Sequence, residues 1–352
     1  MNLMRSLVVL TGIAALSCTP ARDMASQART GEPPRYAGGV ADTLPVGAIP
    51  DVLLRDNDRN KDIRVNIEYP VRPGPHPLIV FSPAFRLTNR DYVGLSSFWA
   101  GRGYVVIRTS HADSGVEDSQ TPADWRNRVR DVVHTLDSLP ELARRYPELD
   151  GRIDVAKVAV AGHGAGAQTA LLLGGVRTFP GAVSYADPRV QQVVAISPPG
   201  PSEWRGLTAE SWTSLSVPAL YITGSADQGV AEVETPEWRR QAFTLSPAGD
   251  KWLVVLPGAR YGTFTGRFDG VLQAAARERA RTNPVNPNDG MVDRNNQRIS
   301  RAEIAGMRQQ DLFNLARGLS LAFFDAYARQ DGEGRKALES AGQRTGVVIE
   351  KK

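Results

Sequence analysis

The chain has 352 residues, 41% of them hydrophobic, with 42 basic and 38 acidic side chains that leave a net charge of +4. That length and apolar fraction suffice for one large or two modest globular domains with a genuine core. The basic excess is small and Lys and Arg never run longer than two, so the charges read as a solvated surface and nucleic acid is excluded as a partner.

Met1 to Arg5 carries one positive charge, Leu7 to Leu16 is a short apolar run, and Ser17-Cys18 follows, which is the layout of a secretory signal over residues 1–18. The run is too short to span a bilayer as a helix. Cys18 is the only cysteine, which rules out an internal disulfide. Its surroundings resemble a bacterial lipobox, so a lipid anchor to the membrane through Cys18 is expected, and Thr19 after it implies an outer-membrane lipoprotein. Ordinary cleavage, giving a periplasmic or secreted protein, is the alternative. Residues 19–48 are rich in Ala, Pro, Gly, Arg and Thr without a period and read as a flexible tether.

A single domain is expected over 49–330. Ile63, Val65, Ile67 and Tyr69 alternate with polar residues as a half-buried strand, and Leu78 to Ser82 forms a second strand. A helix over about 91–100 ends at Gly101 and Gly103, and Tyr104 to Arg108 reads as a strand buried on both faces. Pro122 opens a helix with Val129, Val132, Val133, Leu136 and Leu139 at helical spacing. Strands follow at 158–161, 190–196, 218–223 and 252–256. A polar loop over 276–300 precedes a final helix over 300–329, and 331–352 is expected as a C-terminal tail. Strands alternating with helices predict an α/β fold, a mostly parallel sheet with helices on both faces.

The most informative stretch is Val158-Ala159-Val160-Ala161-Gly162-His163-Gly164-Ala165-Gly166, followed by an Ala/Leu-rich helix. Strand, sharp turn and helix make the nucleophile elbow of an α/β-hydrolase, whose pattern is G-x-S-x-G. Gly164 occupies the serine position. Later in the chain, Ile222-Thr223-Gly224-Ser225-Ala226-Asp227 places a carboxylate just beyond a strand, where Asp227 suits the acid of a triad. In the loop where the base is expected stands Tyr261, whose phenol, with an unperturbed pKa of about 10, keeps its proton at neutral pH. Strand 78–82 runs into Pro83-Ala84-Phe85, and the N–H groups of Phe85 and Ala165 are the expected oxyanion donors.

These segments, with Gly103 to Ile107, Ile196-Ser197-Pro198-Pro199-Gly200 and Gly258 to Phe264, resemble the bacterial dienelactone-hydrolase-like group, related to platelet-activating-factor acetylhydrolases and bacterial cutinases. The resemblance covers about 50–270 and the final helix. It implies the α/β-hydrolase fold and a carboxylic-ester hydrolase with a Ser, Asp, His triad. Asp227 matches the acid, Phe85 and Ala165 the oxyanion donors, while the nucleophile and base fall on Gly164 and Tyr261. The implied protein is therefore a catalytically inactive or impaired homologue with a retained pocket for a small ester or lipid-like ligand. Two alternatives stay open: an active hydrolase using a rearranged site, with His111 as base beside Asp113 or Asp227 and a water, or an envelope scaffold.

His76, His134 and His163 are assigned supporting or surface roles, and Thr169 and Ser197 lack the exposure of an elbow nucleophile. Trp125, Trp204 and Trp212 are candidates either for lining an apolar pocket or for core packing. No cofactor is expected. The histidines show no metal spacing, no Lys-Ser/Thr follows the glycines as a phosphate loop requires, and Asp293 to Glu303 lacks the glycine of a calcium loop.

Overall fold

A computed structural model describes residues 43–111, 122–229, 233–267, 291–292, 298–299, 301–344 and 346–352, with the backbone alone for 122–124, 291–292, 298–299 and 301–307. The signal segment with Cys18, most of the tether, Asp113 and most of the 276–300 loop lie outside the described residues.

Nine strands form one sheet. They are β1 (Val46–Asp56), β2 (Lys61–Pro70), β3 (His76–Ser82), β4 (Val105–Thr109), β5 (Ile153–His163), β6 (Val190–Ile196), β7 (Ala219–Gly224), β8 (Lys251–Leu256) and β9 (Val348–Lys351). Their spatial order is β1-β2-β4-β3-β5-β6-β7-β8-β9. Strands β4 through β8 run parallel, and β1, β2 and β9 join antiparallel at the margins. The middles of the central strands, such as Leu78–Phe81, Val158–Ala161 and Val193–Ile196, are apolar because helices cover both faces.

Side-chain alternation divides the core in two. Leu78 and Val80 of β3, with Val158 and Val160 of β5, point to the face covered by α2 (Pro122–Asp137), α3 (Leu139–Arg145), α4 (Ala165–Gly174) and α5 (Pro236–Thr244). Ile79, Phe81, Ala159 and Ala161 point to the opposite face, under α1 (Val93–Ala100), α6 (Arg301–Ala328) and α7 (Gly332–Ala341). There Trp99 meets Phe324 edge-on at 5.3 Å and donates from Nε1 to Ser320 at 3.1 Å. Burying a side chain of that kind stabilises the fold by about 1.5–3 kcal/mol.

Both ends of the chain depart from expectation. Strand β1 begins inside the segment assigned to the tether, and a bulge between Ile49 and Val52 carries Pro50 and Asp51, the latter at φ +52°. The proline is tolerated on an edge strand, and the bulge breaks the alternation that would have marked the strand. Residues 331–352 are not a tail. Asp331 caps α7 by accepting from the Glu333 N–H at 2.9 Å, and β9 pairs with β8 from Trp252↔Lys351 to Val255↔Val348. Four residues, none of them buried, give too short a pattern to read as a strand. The final helix runs Arg301–Ala328, and within the polar loop only the paired Met291–Val292 and Arg298–Ile299 are described. No helix among the described residues is long and apolar enough to cross a membrane.

Candidate functional site

The turn between β5 and α4 lies at the C-terminal edge of the parallel strands. Gly164 sits at φ +56°, ψ −113°, a conformation side chains other than glycine adopt only under strain. Its N–H donates to the Ile196 carbonyl at 2.9 Å and its carbonyl accepts from Gln168 N–H at 3.2 Å. Gly166 packs its α-carbon against the Ser82 carbonyl so closely that a β-carbon there would overlap it. That approach brings the start of α4 beside the Pro83-Ala84-Phe85 loop. Arg128, on α2, pins the loop by donating from Nη1 to the Pro83 carbonyl at 2.8 Å.

Tyr261 stands directly over the turn. A β-carbon on Gly164 would overlap Tyr261 Oη and lie 3.0 Å from Cζ, so the phenol fills the volume a serine side chain would take. The Tyr261 ring stacks on His163 with centroids 4.3 Å apart, and Arg239 Cζ lies 5.1 Å from its centroid. Burial pushes the phenol up to about 12, against the pull of Arg239, so it stays protonated. The N–H groups of Phe85 and Ala165 have no hydrogen-bond partner among the described residues.

Asp227 is fully buried and no histidine touches it. Its Oδ2 accepts from Ser197 Oγ at 2.7 Å and Thr223 Oγ1 at 2.8 Å. Arg239, on α5, donates from Nε to the Asp227 carbonyl at 3.0 Å and stands 3.1 Å from Oδ1, at an angle that leaves that oxygen without a hydrogen bond. Burial raises the Asp227 carboxyl, opposed by Arg239, Ser197 and Thr223. Arg239 is thus the ionic partner of the Asp227 carboxylate.

His163 belongs to a fixed polar chain. Ala84 N–H donates to Tyr92 Oη at 3.2 Å, so the Tyr92 proton goes to His163 Nδ1 at 2.8 Å. The His163 proton is thereby assigned to Nε2, which faces Ser197 Oγ at 3.2 Å, and Ser197 in turn donates to Asp227. Burial first, and the charge of Arg239 second, lower His163 to about 3, so it is neutral with both nitrogens occupied.

No hydrogen bond joins His111 to Asp227, and Asp113, its other expected partner, lies outside the described residues; the carboxylate seen beside it is Asp131. Nδ1 is 2.8 Å from Asp131 Oδ2, and Nε2 is 2.9 Å from Ser82 Oγ. Asp131 also accepts from Lys61 Nζ at 2.8 Å and Arg59 Nη1 at 2.8 Å. Burial alone would raise this carboxyl, but His111 and Lys61 outweigh it and hold it at about 2. Ser82, His111 and Asp131 are all buried.

Of the tryptophans, Trp212 is wholly buried in the core and Trp125 packs edge-on to Tyr185 at 5.6 Å, so core packing accounts for both. Trp204 is 44% exposed, its ring 4.0 Å from Arg205 Cζ. Arg205 pairs with Glu234 at 2.7 Å, and Trp238 donates from Nε1 to the Pro201 carbonyl at 2.8 Å, so this patch adjoins the Asp227 cluster. The sequence reading missed Arg239, Arg205 and Arg128. The start of α5 was marked by Thr235-Pro236, a cap and a proline at the first helical position, with Thr235 accepting from Trp238 N–H at 3.2 Å. Nothing local showed that its arginine would fold back onto Asp227. Among the described residues no group of three or more His, Cys, Asp or Glu is placed to hold a metal ion.

No protein-family model and no curated protein matches the sequence. Among solved structures, a ferulic acid esterase from Streptomyces cinnamoneus superposes with a TM-score of 0.55 at 20% identity, over 83% of this chain and 92% of that one. The chain has the α/β-hydrolase fold. In that fold Gly164 lies at the turn between β5 and α4, the 83–85 loop directly follows β3, and Asp227 lies in the loop after β7.

Proposed function

We propose that this chain is an exported α/β-hydrolase-fold protein of the dienelactone-hydrolase-like type in which hydrolysis through a serine acyl-enzyme has been lost and the elbow is kept as a ligand-binding site. The observation that carries the proposal is the overlap of Tyr261 Oη with the position of a side chain on Gly164. A vacant elbow would leave room for a restored serine or a water. A filled one supports a site remodelled around the tyrosine. The occupation of Asp227 by Ser197, Thr223 and Arg239 supports the same reading, since a triad acid must orient an imidazole.

An oxyanion hole and binding alone leave roughly 10³ to 10⁴-fold acceleration over water, too little for turnover in an ordinary ester assay. The likeness to a ferulic acid esterase and the aromatic patch at Trp204 and Trp238 favour an acyl or aryl ligand. Export, and the lipid anchor through Cys18, rest on the leader sequence.

The test is hydrolysis of p-nitrophenyl butyrate by the wild type and by the Gly164→Ser/Tyr261→His double variant. The proposal expects background rates from the wild type and, with Asp227 still held by Ser197, Thr223 and Arg239, at most weak turnover from the double variant. Wild-type turnover well above background contradicts it.

A second reading, an active hydrolase with a displaced site, draws on the hydrogen-bonded Ser82, His111 and Asp131. Their spacing is that of a nucleophile, base and orienting acid, but access to Ser82 would require the covering structure to open. Ester turnover abolished by His111→Ala would favour it.

A further inference from the structure

This inference rests on the proposal that the elbow binds a ligand without acylating it. Three groups adjoin the turn, and each is a hydrogen-bond donor. The N–H groups of Phe85 and Ala165 are unpaired, and so is Tyr261 Oη among the described residues. The hydroxyl is the inner end of a half-buried side chain, laid over the buried Gly164. All three donors belong to half-buried residues, so the acceptor of a ligand can reach them.

The unpaired acceptor of Asp227, Oδ1, faces Arg239 at 3.1 Å. Both nitrogens of His163 are engaged, and Asp227 Oδ2 is taken by Ser197 and Thr223. Two arginines lie alongside, Arg239 at 2% and Arg205 at 7% exposure, and although they pair with Glu234 and Asp227, Arg239 Nη2 and Arg205 Nε remain without a hydrogen bond. An ester offers one strong acceptor, its carbonyl oxygen. A carboxylate offers two equivalent oxygens and a full charge, and its hydrogen bonds are the stronger kind. One oxygen on the two N–H groups and the other on the phenol would satisfy all three donors, with the start of the ten-residue α4 favouring negative charge. Burial holds the phenol protonated, up to about 12, so it donates throughout the neutral range.

We infer that the elbow binds the free carboxylate of an acyl or aryl acid in preference to its ester, with Tyr261 Oη donating to one oxygen and the Phe85 and Ala165 N–H groups to the other. The substitutions that remove a nucleophile thus create a receptor for what a hydrolase would release.

The test is calorimetric titration of the full chain with sodium hexanoate and, separately, methyl hexanoate. The expected result is saturable one-to-one binding of hexanoate, at least tenfold tighter than of the ester. Tyr261→Phe, which keeps the ring, should weaken hexanoate about ten- to a hundredfold and leave the methyl ester within about twofold. Gly164→Ala, whose methyl group displaces the phenol, should cause the same selective loss and carries the test if Tyr261→Phe does not fold. Equal affinity for acid and ester, absence of saturable hexanoate binding, or full hexanoate affinity in folded Tyr261→Phe overturns the inference. Turnover of p-nitrophenyl hexanoate by the wild type would instead overturn the proposed loss of hydrolysis, and leaves the hexanoate measurement readable.

Discussion

Restoring serine at the elbow by itself should damage the protein, and the amount can be worked from the turn. A β-carbon on Gly164 overlaps Tyr261 Oη and meets Cζ at 3.0 Å and Cε2 at 3.3 Å. Forcing atoms into a filled site costs about 1–3 kcal/mol. The backbone at φ +56°, ψ −113° adds about 1–3 kcal/mol for any residue with a β-carbon. Gly164→Ser should therefore destabilise by about 2–6 kcal/mol. Tyr261→Ala removes the obstructing ring, so in the double variant the overpacking part vanishes while the backbone part remains. The assay is a double-mutant cycle by denaturant unfolding, with a favourable coupling of about 1–3 kcal/mol between the two sites. Effects that add to within about 0.5 kcal/mol, or a Gly164→Ser protein as stable as the wild type, would refute the claim that the phenol occupies the side-chain position.

Three further outcomes follow from the geometry. Asp131 is held at about 2, below its usual value, so its contribution to stability is complete above about pH 4 and is lost as pH falls through 2; about 2 kcal/mol should disappear over that window, seen as the pH-dependent difference in urea midpoint between wild type and Asp131→Asn. Arg239→Met leaves the buried Asp227 without its cation, and breaking such a pair costs about 3–5 kcal/mol; a change under about 1 kcal/mol in guanidinium unfolding would show that Arg239 does not hold the acid. Deleting Val348–Lys352 uncovers the edge of β8, and light scattering should report association that Phe324→Ala, a core lesion of about 3–5 kcal/mol, does not produce while folded.

How far the sequence disclosed all this depends on how local each signal is. The central strands were legible because burial on both faces writes an unbroken apolar run, as at Leu78 to Phe81, and the elbow because Gly162, Gly164 and Gly166 each answer a close approach or a positive φ within five residues. Strand β1 was hidden by its bulge at Pro50-Asp51, and β9 by its brevity. At the site, residue types placed Gly164, Asp227 and Tyr261 on neighbouring loops but could not say what filled the space between them. That Tyr261 leans onto Gly164, or that Arg239 crosses from another element to Asp227, depends on packing between segments far apart in the chain. The same limit explains His111: its place at the end of β4 was readable, but its partner sits on α2, whose rotation about its axis decides that Asp131 points inward.

The account turns on the absence of an acylable serine at the elbow, and intact-mass spectrometry after incubation with a fluorophosphonate tests that most directly. A wild-type mass unchanged after prolonged exposure is the result predicted. A stoichiometric adduct on any serine, Ser82 above all, would contradict it and return the chain to the working hydrolases.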